Sequence, residues 1–303
     1  MPVQGGEDAD NGPADDEFHR SSASVKRAPA HTSRWQGPSD GRAESVSAQL
    51  GDTMFGPVEW VDETGSTNED LLSRATQGAS PGLVRVADHQ TAGRGRRDRT
   101  WTDTSGQSLL MSVLLRPSMD PERLSVLTAA FAVATAEACD ALGCPGSRIK
   151  WPNDLVVGPV DGQRKLAGIL AQSRVGSDGT AVVIGLGLNV ESGGVPALAN
   201  PAAALDELGV APGRDELAVR ILRNADRLLR SLDDAPELMW ERYRGRSATL
   251  GTVVEVQLDD GLLTGLAAAV NESGALMVGL PGETVEIVAG DVVSVAVAPA
   301  GQA

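Results

Sequence analysis

The chain has 303 residues, 41% of them hydrophobic, with 26 Lys and Arg against 41 Asp and Glu, a formal net charge of -15 and a pI near 4.6. That acidity argues against broad nucleic-acid or anionic-membrane binding, since both need an extended basic face. No apolar run is long enough to span a bilayer, and no charged start followed by an apolar core marks a secretory signal, so a cytoplasmic protein is expected. The length suits one large domain or two ordinary ones. Cys139 and Cys144 make no CxxC pair and have no His or Cys cluster around them. They read as reduced thiols, Cys139 on a helix, rather than as a metal site or disulfide.

Residues 1–47 are rich in Gly, Ser, Asp, Pro and Arg and nearly lack large apolar residues, so they are expected to be a disordered tail. Order is expected from about Val58. Residues 65–72 (GSTNEDLL) read as a helix start, with Ser66 and Glu69 spaced for a capping box. Residues 82–90 read as a strand running into an Arg/Gly loop, and 108–116 (SLLMSVLLR) as a buried strand. A helix is expected from Asp120, with Pro121 at its first position, an apolar face of Leu124, Leu127, Phe131, Ala134, Ala138 and Leu142, and a stop at Gly143. Short strands at 149–151 and 155–157 flank a Pro152-Asn153-Asp154 turn. Residues 164–173 and 181–189 form a hairpin pair, and helices follow at 215–232 and 236–244. From 248 to 297, short β-rich runs punctuated by Gly and Asp predict a small separate barrel.

The segment 93–99 (GRGRRDR) packs two glycines and four arginines into seven residues of an acidic chain. Glycine lets backbone approach a ligand closely, and arginine presents a fork that matches phosphate or carboxylate. The segment reads either as a local anion site or as a loop of solvated arginines. Mutual repulsion of the four cations predicts a loop that is mobile until an anion binds.

Five blocks, 65–72 (GSTNEDLL), 88–101 (DHQTAGRGRRDRTW), 150–155 (KWPNDL), 164–170 (RKLAGIL) and 184–190 (IGLGLNV), taken in order, resemble the biotin–protein ligases. The resemblance runs from about Val58 to Val297. It implies an α/β catalytic domain with a mixed central sheet flanked by helices (55–245), followed by a small SH3-like β-barrel (246–299). It also implies ATP-dependent attachment of biotin, through biotinyl-5′-AMP, to a lysine of biotin carboxyl carrier protein domains of biotin-dependent carboxylases. ATP with Mg²⁺, and biotin, are the small molecules implied. No nucleic-acid or membrane partner is.

By the same resemblance Ser66, Thr67, Asn68, Gln90, Gly93, Arg94, Gly95, Arg96, Lys165 and Gly168 fall at biotin-binding positions. Ser66 also reads as a plain N-cap, and both readings can hold. Arg96, Arg97, Arg99, Trp101, Lys150, Asn153 and Asn189 fall at ATP or adenylate positions. Trp101 reads equally as a core residue pinning the loop base. Lys165, Arg96 and Asp154 are the candidate catalytic residues. Asp154 is open between orienting a lysine, placing Mg²⁺ and meeting the acceptor amine. Gly187, like Gly168, reads as permitting close ligand approach. Some members of the family carry an N-terminal DNA-binding domain, whereas residues 1–47 lack core-forming residues, so repressor activity is not expected here. The alternatives are a lipoate-type ligase or acyltransferase, which the GRGRR loop and KWPND turn disfavour, and a non-catalytic biotin-sensing regulator.

Overall fold

The structure of the chain, a computed structural model, describes residues 41–120, 123–176, 179–194, 201–259 and 261–297, all within a unit spanning Gly37–Ala303. A seven-stranded sheet has the order β1-β2-β3-β7-β6-β5-β4. Its strands are β1 (Val58–Thr64), β2 (Val84–Gln90), β3 (Ser108–Leu115), β4 (Arg148–Lys150), β5 (Asp154–Val157), β6 (Arg164–Gly176) and β7 (Gly179–Asn189). β1 and β2 are parallel and the remaining pairs antiparallel, so the sheet is mixed as expected.

Alternation assigns the two faces of this sheet. Leu109, Met111, Val113 and Leu115 of β3 join a core with Phe131 and Leu217, while Leu114 joins Leu71, Leu72 and Val183. Thus α3 (Ser125–Ala141) and α4 (Arg214–Ser231) cover one face and α2 (Thr67–Thr76) covers part of the other. The uncovered remainder of the α2 face is where ligand chemistry can be built. α3 starts at Ser125 rather than Asp120; Pro121 and Glu122 lie outside the described residues. It is buried nearly all round, not along one stripe, because sheet, α4 and α5 (Pro236–Gly245) enclose it. Cys139 sits within it as a free thiol, and burial pushes its pKa up to about 12, which makes it chemically inert.

The second sheet has the order β11-β10-β9-β8-β12, built from β8 (Thr252–Gln257), β9 (Leu262–Val270), β10 (Leu276–Leu280), β11 (Glu283–Ile287) and β12 (Asp291–Val297). All its pairs are antiparallel, and β11 and β12 remain its two open edges. Among the described residues no helix is long and apolar enough to cross a membrane.

The disordered reading of 1–47 fails at its end: α1 (Arg42–Gln49) is helical, while 1–40 lie outside the described residues. Two apolar residues suffice to dock it, since Val46 and Leu50 are fully buried. Arg42 adds a clamp. Its guanidinium lies 4.9 Å from the Trp60 ring centroid, and that of Arg214 lies 5.6 Å from it. Trp60 Nε1 donates to Asp88 Oδ1 at 2.7 Å, and Arg214 Nη1 reaches the same oxygen at 2.8 Å. We predict that Leu50→Ala lowers stability by roughly 2–5 kcal/mol in a urea melt. An unchanged midpoint and slope would return α1 to the status of a loose tail.

Candidate active site

The open face of the large sheet is a trough whose floor lacks side chains. Gly168 of β6 pairs with Gly187 of β7, and Gly185 stands opposite Ser112 of β3. A Cβ on Gly187 would lie 2.6 Å from the Trp101 indole, and one on Gly168 would lie 2.9 Å from Lys165 Nζ and 3.2 Å from Trp101. The two glycines therefore admit an indole and an ammonium directly onto the backbone ladder. A bulge between Leu155 and Val156 helps to aim Lys165 into this space, because it lets Leu166 and Ala167 both enter the core next to it.

At one end of the trough lies a buried polar cluster. Gln90 Oε1 accepts from Thr67 N at 2.8 Å and Thr67 Oγ1 at 3.0 Å. Ser112 Oγ contacts Asn68 Oδ1 at 2.6 Å and Thr67 Oγ1 at 2.7 Å. Asn68 Nδ2 donates to Gln172 Oε1 at 2.8 Å. Ser66 is the buried N-cap of α2, but its side chain makes no cap bond. The expected capping box does not form: Gln90 serves the helix N-terminus, and Glu69 turns instead to Arg94 Nη1 at 3.2 Å. Ser112, Gln172 and Gly185 were missed in the sequence. Ser112 had a signal, as the one polar residue inside the apolar run LLMSVLL.

The Arg/Gly segment is a small hairpin rather than a loose loop. Trp101 N donates to Gly93 O at 2.9 Å, Gly95 N to Arg99 O at 2.7 Å, and Arg94 bridges Thr100. Gly93 leaves no room for a Cβ, which would sit 2.6 Å from Trp101 O. Arg97 and Asp98 take left-handed backbone, with φ 51 and 57. The repulsion expected to open the segment is offset by carboxylates. Besides Arg94 with Glu69, Arg96 Nη1 meets Asp291 Oδ1 at 2.9 Å, Arg97 meets Asp259 at 2.7 Å, and Arg99 meets Asp291 Oδ2 at 3.0 Å. Arg96 Nη1 also reaches Gly290 O at 3.1 Å and Asn153 Oδ1 at 3.5 Å. Burial lowers the Arg96 pKa, with Asp291 and Asp154 opposing.

Lys165 Nζ lies 2.7 Å from Asp154 Oδ1 and 5.7 Å from the Trp101 ring centroid. The Asp154 carboxylate therefore faces the Lys165 ammonium. Burial lowers the pKa of nearby Lys150, against the pull of Asp154. Asn153 Nδ2 donates to Ile169 O at 2.8 Å, which fixes the 152–154 turn to β6. Asn189 spends its amide donors on Ala203 O at 3.0 Å and Lys165 O at 3.4 Å, a bracing role on the strand that carries Lys165. Trp101 Nε1 is buried and has no hydrogen-bond partner among the described residues. Among those residues no group of three His, Cys, Asp or Glu could hold a metal.

Residues 60–189 match the Biotin/lipoate A/B protein ligase family. The chain is 38% identical over 245 residues to the biotin–acetyl-CoA-carboxylase ligase of Mycobacterium tuberculosis, covering 78% of this chain and 88% of the relative. It is 33% identical over 236 residues to the bifunctional ligase/repressor BirA of Escherichia coli, covering 75% of this chain and 71% of that protein. Among solved structures, the biotin protein ligase from Aquifex aeolicus in complex with biotin and ATP has a TM-score of 0.66 at 26% identity, over 77% of this chain and 96% of that one. The chain belongs to the biotin protein ligase family.

The polar cluster makes its own prediction. A Cβ on Gly185 would fall 2.2 Å from Asn68 Oδ1, so Gly185→Ala must displace that amide or the ladder. We expect a loss of roughly 1–3 kcal/mol, the range for overpacking a well-filled site. In an Asn68→Ala background the loss should shrink, because the clashing group is gone. Equal losses in both backgrounds, read by thermal melts, would place the strain elsewhere.

Proposed function

We infer that the chain is an ATP-dependent biotin–protein ligase that joins biotin to a carrier-protein lysine through biotinyl-5′-AMP. The observation carrying this reading is the meeting of the arginine hairpin, Lys165 and Trp101 over the Gly168–Gly187 floor, in a chain 38% identical to a named ligase. The acceptors are carrier domains of biotin-dependent carboxylases. The catalytic domain spans 55–245, and the C-terminal sheet at 246–299 is of the SH3-like class, a view supported by its five short antiparallel strands.

The polar ends of Thr67, Asn68, Ser112 and Gln90 can meet a ureido ring, which offers both donors and an acceptor. Its carboxylate is then directed toward Lys165. A carboxylate oxygen attacks the α-phosphorus of ATP, and the bond to the bridging oxygen of pyrophosphate breaks with its electron pair. Two anions must approach, so preorganised cations lower the barrier. Lys165 meets the forming carboxyl–phosphate oxygen. Lys150 and Arg96, poorly solvated through burial, act where charge interactions are strong. Trp101 supplies a flat surface for the adenylate. A neutral acceptor amine next attacks the acyl carbon, AMP leaves with the C–O electron pair, and the amine loses a proton.

Magnesium fits this donor set only as a phosphate-borne ion. Asp154 and Asp291 are the carboxylates at hand, and each already faces a cation. Mg²⁺ commonly takes one or two carboxylates plus substrate phosphates. Asp154 would hold it, and the ion would neutralise phosphate charge.

The test is incubation with ATP, Mg²⁺ and biotin or lipoate, with a biotin carrier domain, following adenylate and acyl-lysine by mass spectrometry. Biotin-specific labelling is expected; lipoyl transfer or no adenylate overturns the reading. Lys165→Ala should lower kcat/KM for pyrophosphate release by roughly 100-fold, with little change in Tm since the lysine is outside the core. Near-normal release would remove Lys165 from the catalytic set. Arg96→Gly should form the adenylate more slowly and let it escape, so that an unrelated protein such as albumin becomes biotinylated. Strict carrier specificity in that variant would mean that Arg96 does not retain the intermediate.

A further inference from the structure

Three of the four hairpin arginines rest on the C-terminal sheet, and the contact is built rather than incidental. The start of β12 presents two acceptors to Arg96, Gly290 O at 3.1 Å and Asp291 Oδ1 at 2.9 Å. Gly290 lets the turn close on β8, because a Cβ there would lie 2.8 Å from Val256 Cγ1. The Asp291 side chain is only 10% exposed, so its charge is poorly screened by water. Arg99 Nη2 comes within 3.0 Å of its other oxygen, close enough for a charge contact though off the axis of a hydrogen bond. The Arg97–Asp259 contact differs, since Asp259 is fully exposed and such a pair adds little.

Two details separate a holder from a quencher. Every hydrogen bond that Arg96 makes among the described residues is at Nη1. The Nε and Nη2 edge, the part of the fork that grips phosphate bidentately, is left over. Two guanidiniums also share one carboxylate, so a single positive charge remains. The phosphate of an acyl-adenylate carries one negative charge and balances it.

Taking the ligase reading as its basis, we infer that Asp291 of the C-terminal sheet is a positioning residue for the adenylation step. It grips Arg96 and Arg99 at one edge so that their remaining donors face the nucleotide phosphate. Asp291 itself touches no substrate. The C-terminal sheet thereby takes part in the site through one carboxylate.

The experiment compares the full chain with Asp291→Asn, with Arg96→Ala/Arg99→Ala, and with the triple variant. Single-turnover pyrophosphate release with biotin and ATP is the readout. Asparagine preserves shape and one acceptor but removes the charge. We expect Asp291→Asn to lower kcat/KM for adenylate formation by roughly 10- to 100-fold, the effect of misplacing a catalytic group. In the arginine-less background the same change should have no further effect, because the residue acts only through those arginines. An unchanged or faster Asp291→Asn enzyme overturns the inference, the latter making Asp291 a brake. An equal loss in both backgrounds, or a Tm lowered to the assay temperature, also overturns it by making Asp291 a purely structural residue. An inactive unsubstituted chain would fail the ligase reading itself, an outcome distinct from all of these.

Discussion

Gly168 and Gly187 face one another across the β6–β7 ladder, and the two missing Cβ atoms decide what this sheet can carry. With side chains there, Trp101 could not lie on the backbone and Lys165 could not swing over it to Asp154. Trp101 is also the residue whose N–H closes the arginine hairpin on Gly93. The floor, the lysine and the hairpin base are therefore one steric unit. The sheet's opposite face is ordinary core, filled by Met111, Ile184 and Phe131 against α3 and α4. Glycine in a strand interior is destabilising, since it adds no packing and loses more entropy on ordering. That cost is tolerable here because the other face buries so much apolar surface.

Charge is handled in the same local way. The chain is acidic overall, yet its site concentrates arginines and lysines. Arg94, Arg96, Arg97, Arg99 and Lys165 each meet a carboxylate. Asp154 faces Lys165, Asp291 bridges Arg96 and Arg99, and Glu69 meets Arg94. Carboxylate spacing converts mutual repulsion into geometry. An anionic ligand entering such a site needs little reorganisation, which is the condition for electrostatic catalysis.

Local signals carried most of the fold. Turn residues and period-two patterns located most strands of the two sheets to within a residue or two, because glycines and Asp-rich turns punctuate them; β1 was marked only as the start of order near Val58, and β6 runs three residues past the expected end at 173. The amphipathic α4 was legible for the same reason, with Leu217, Ile221, Ala225 and Leu228 buried on one side. Helix α1 was not legible, as a tail of low apolar content conceals two anchors, Val46 and Leu50, whose burial depends on α4 and the sheet. The start of α3 was set too early because Asp120-Pro121 is a strong local start signal. In the site, the motif-borne residues Lys165, Trp101, Asp154, Arg96 and Gly168 do converge. Asn189 is drawn instead to backbone carbonyls. Ser112 and Gln172 escaped because side-chain partners across strands leave no trace in spacing. Asp291 escaped because it lies about 190 residues from the arginines it holds, in an unremarked AGDVV turn.

Three consecutive residues at the end of β2 explain why the hairpin stands where it does. Asp88 ties to Trp60 and Arg214, and its carbonyl accepts from Gly106 N at 2.8 Å. His89 Nδ1 lies 3.0 Å from Asp103 Oδ2, on the exit side of the hairpin. Gln90 caps α2 through Thr67. The strand end thus grips the outgoing chain twice and helix α2 once, immediately before the hairpin begins. At its far tip the hairpin meets the C-terminal sheet and the side chain of Asn153. Its base is therefore fixed by the central fold, and its tip is fixed by charge pairs with Asp259 and Asp291.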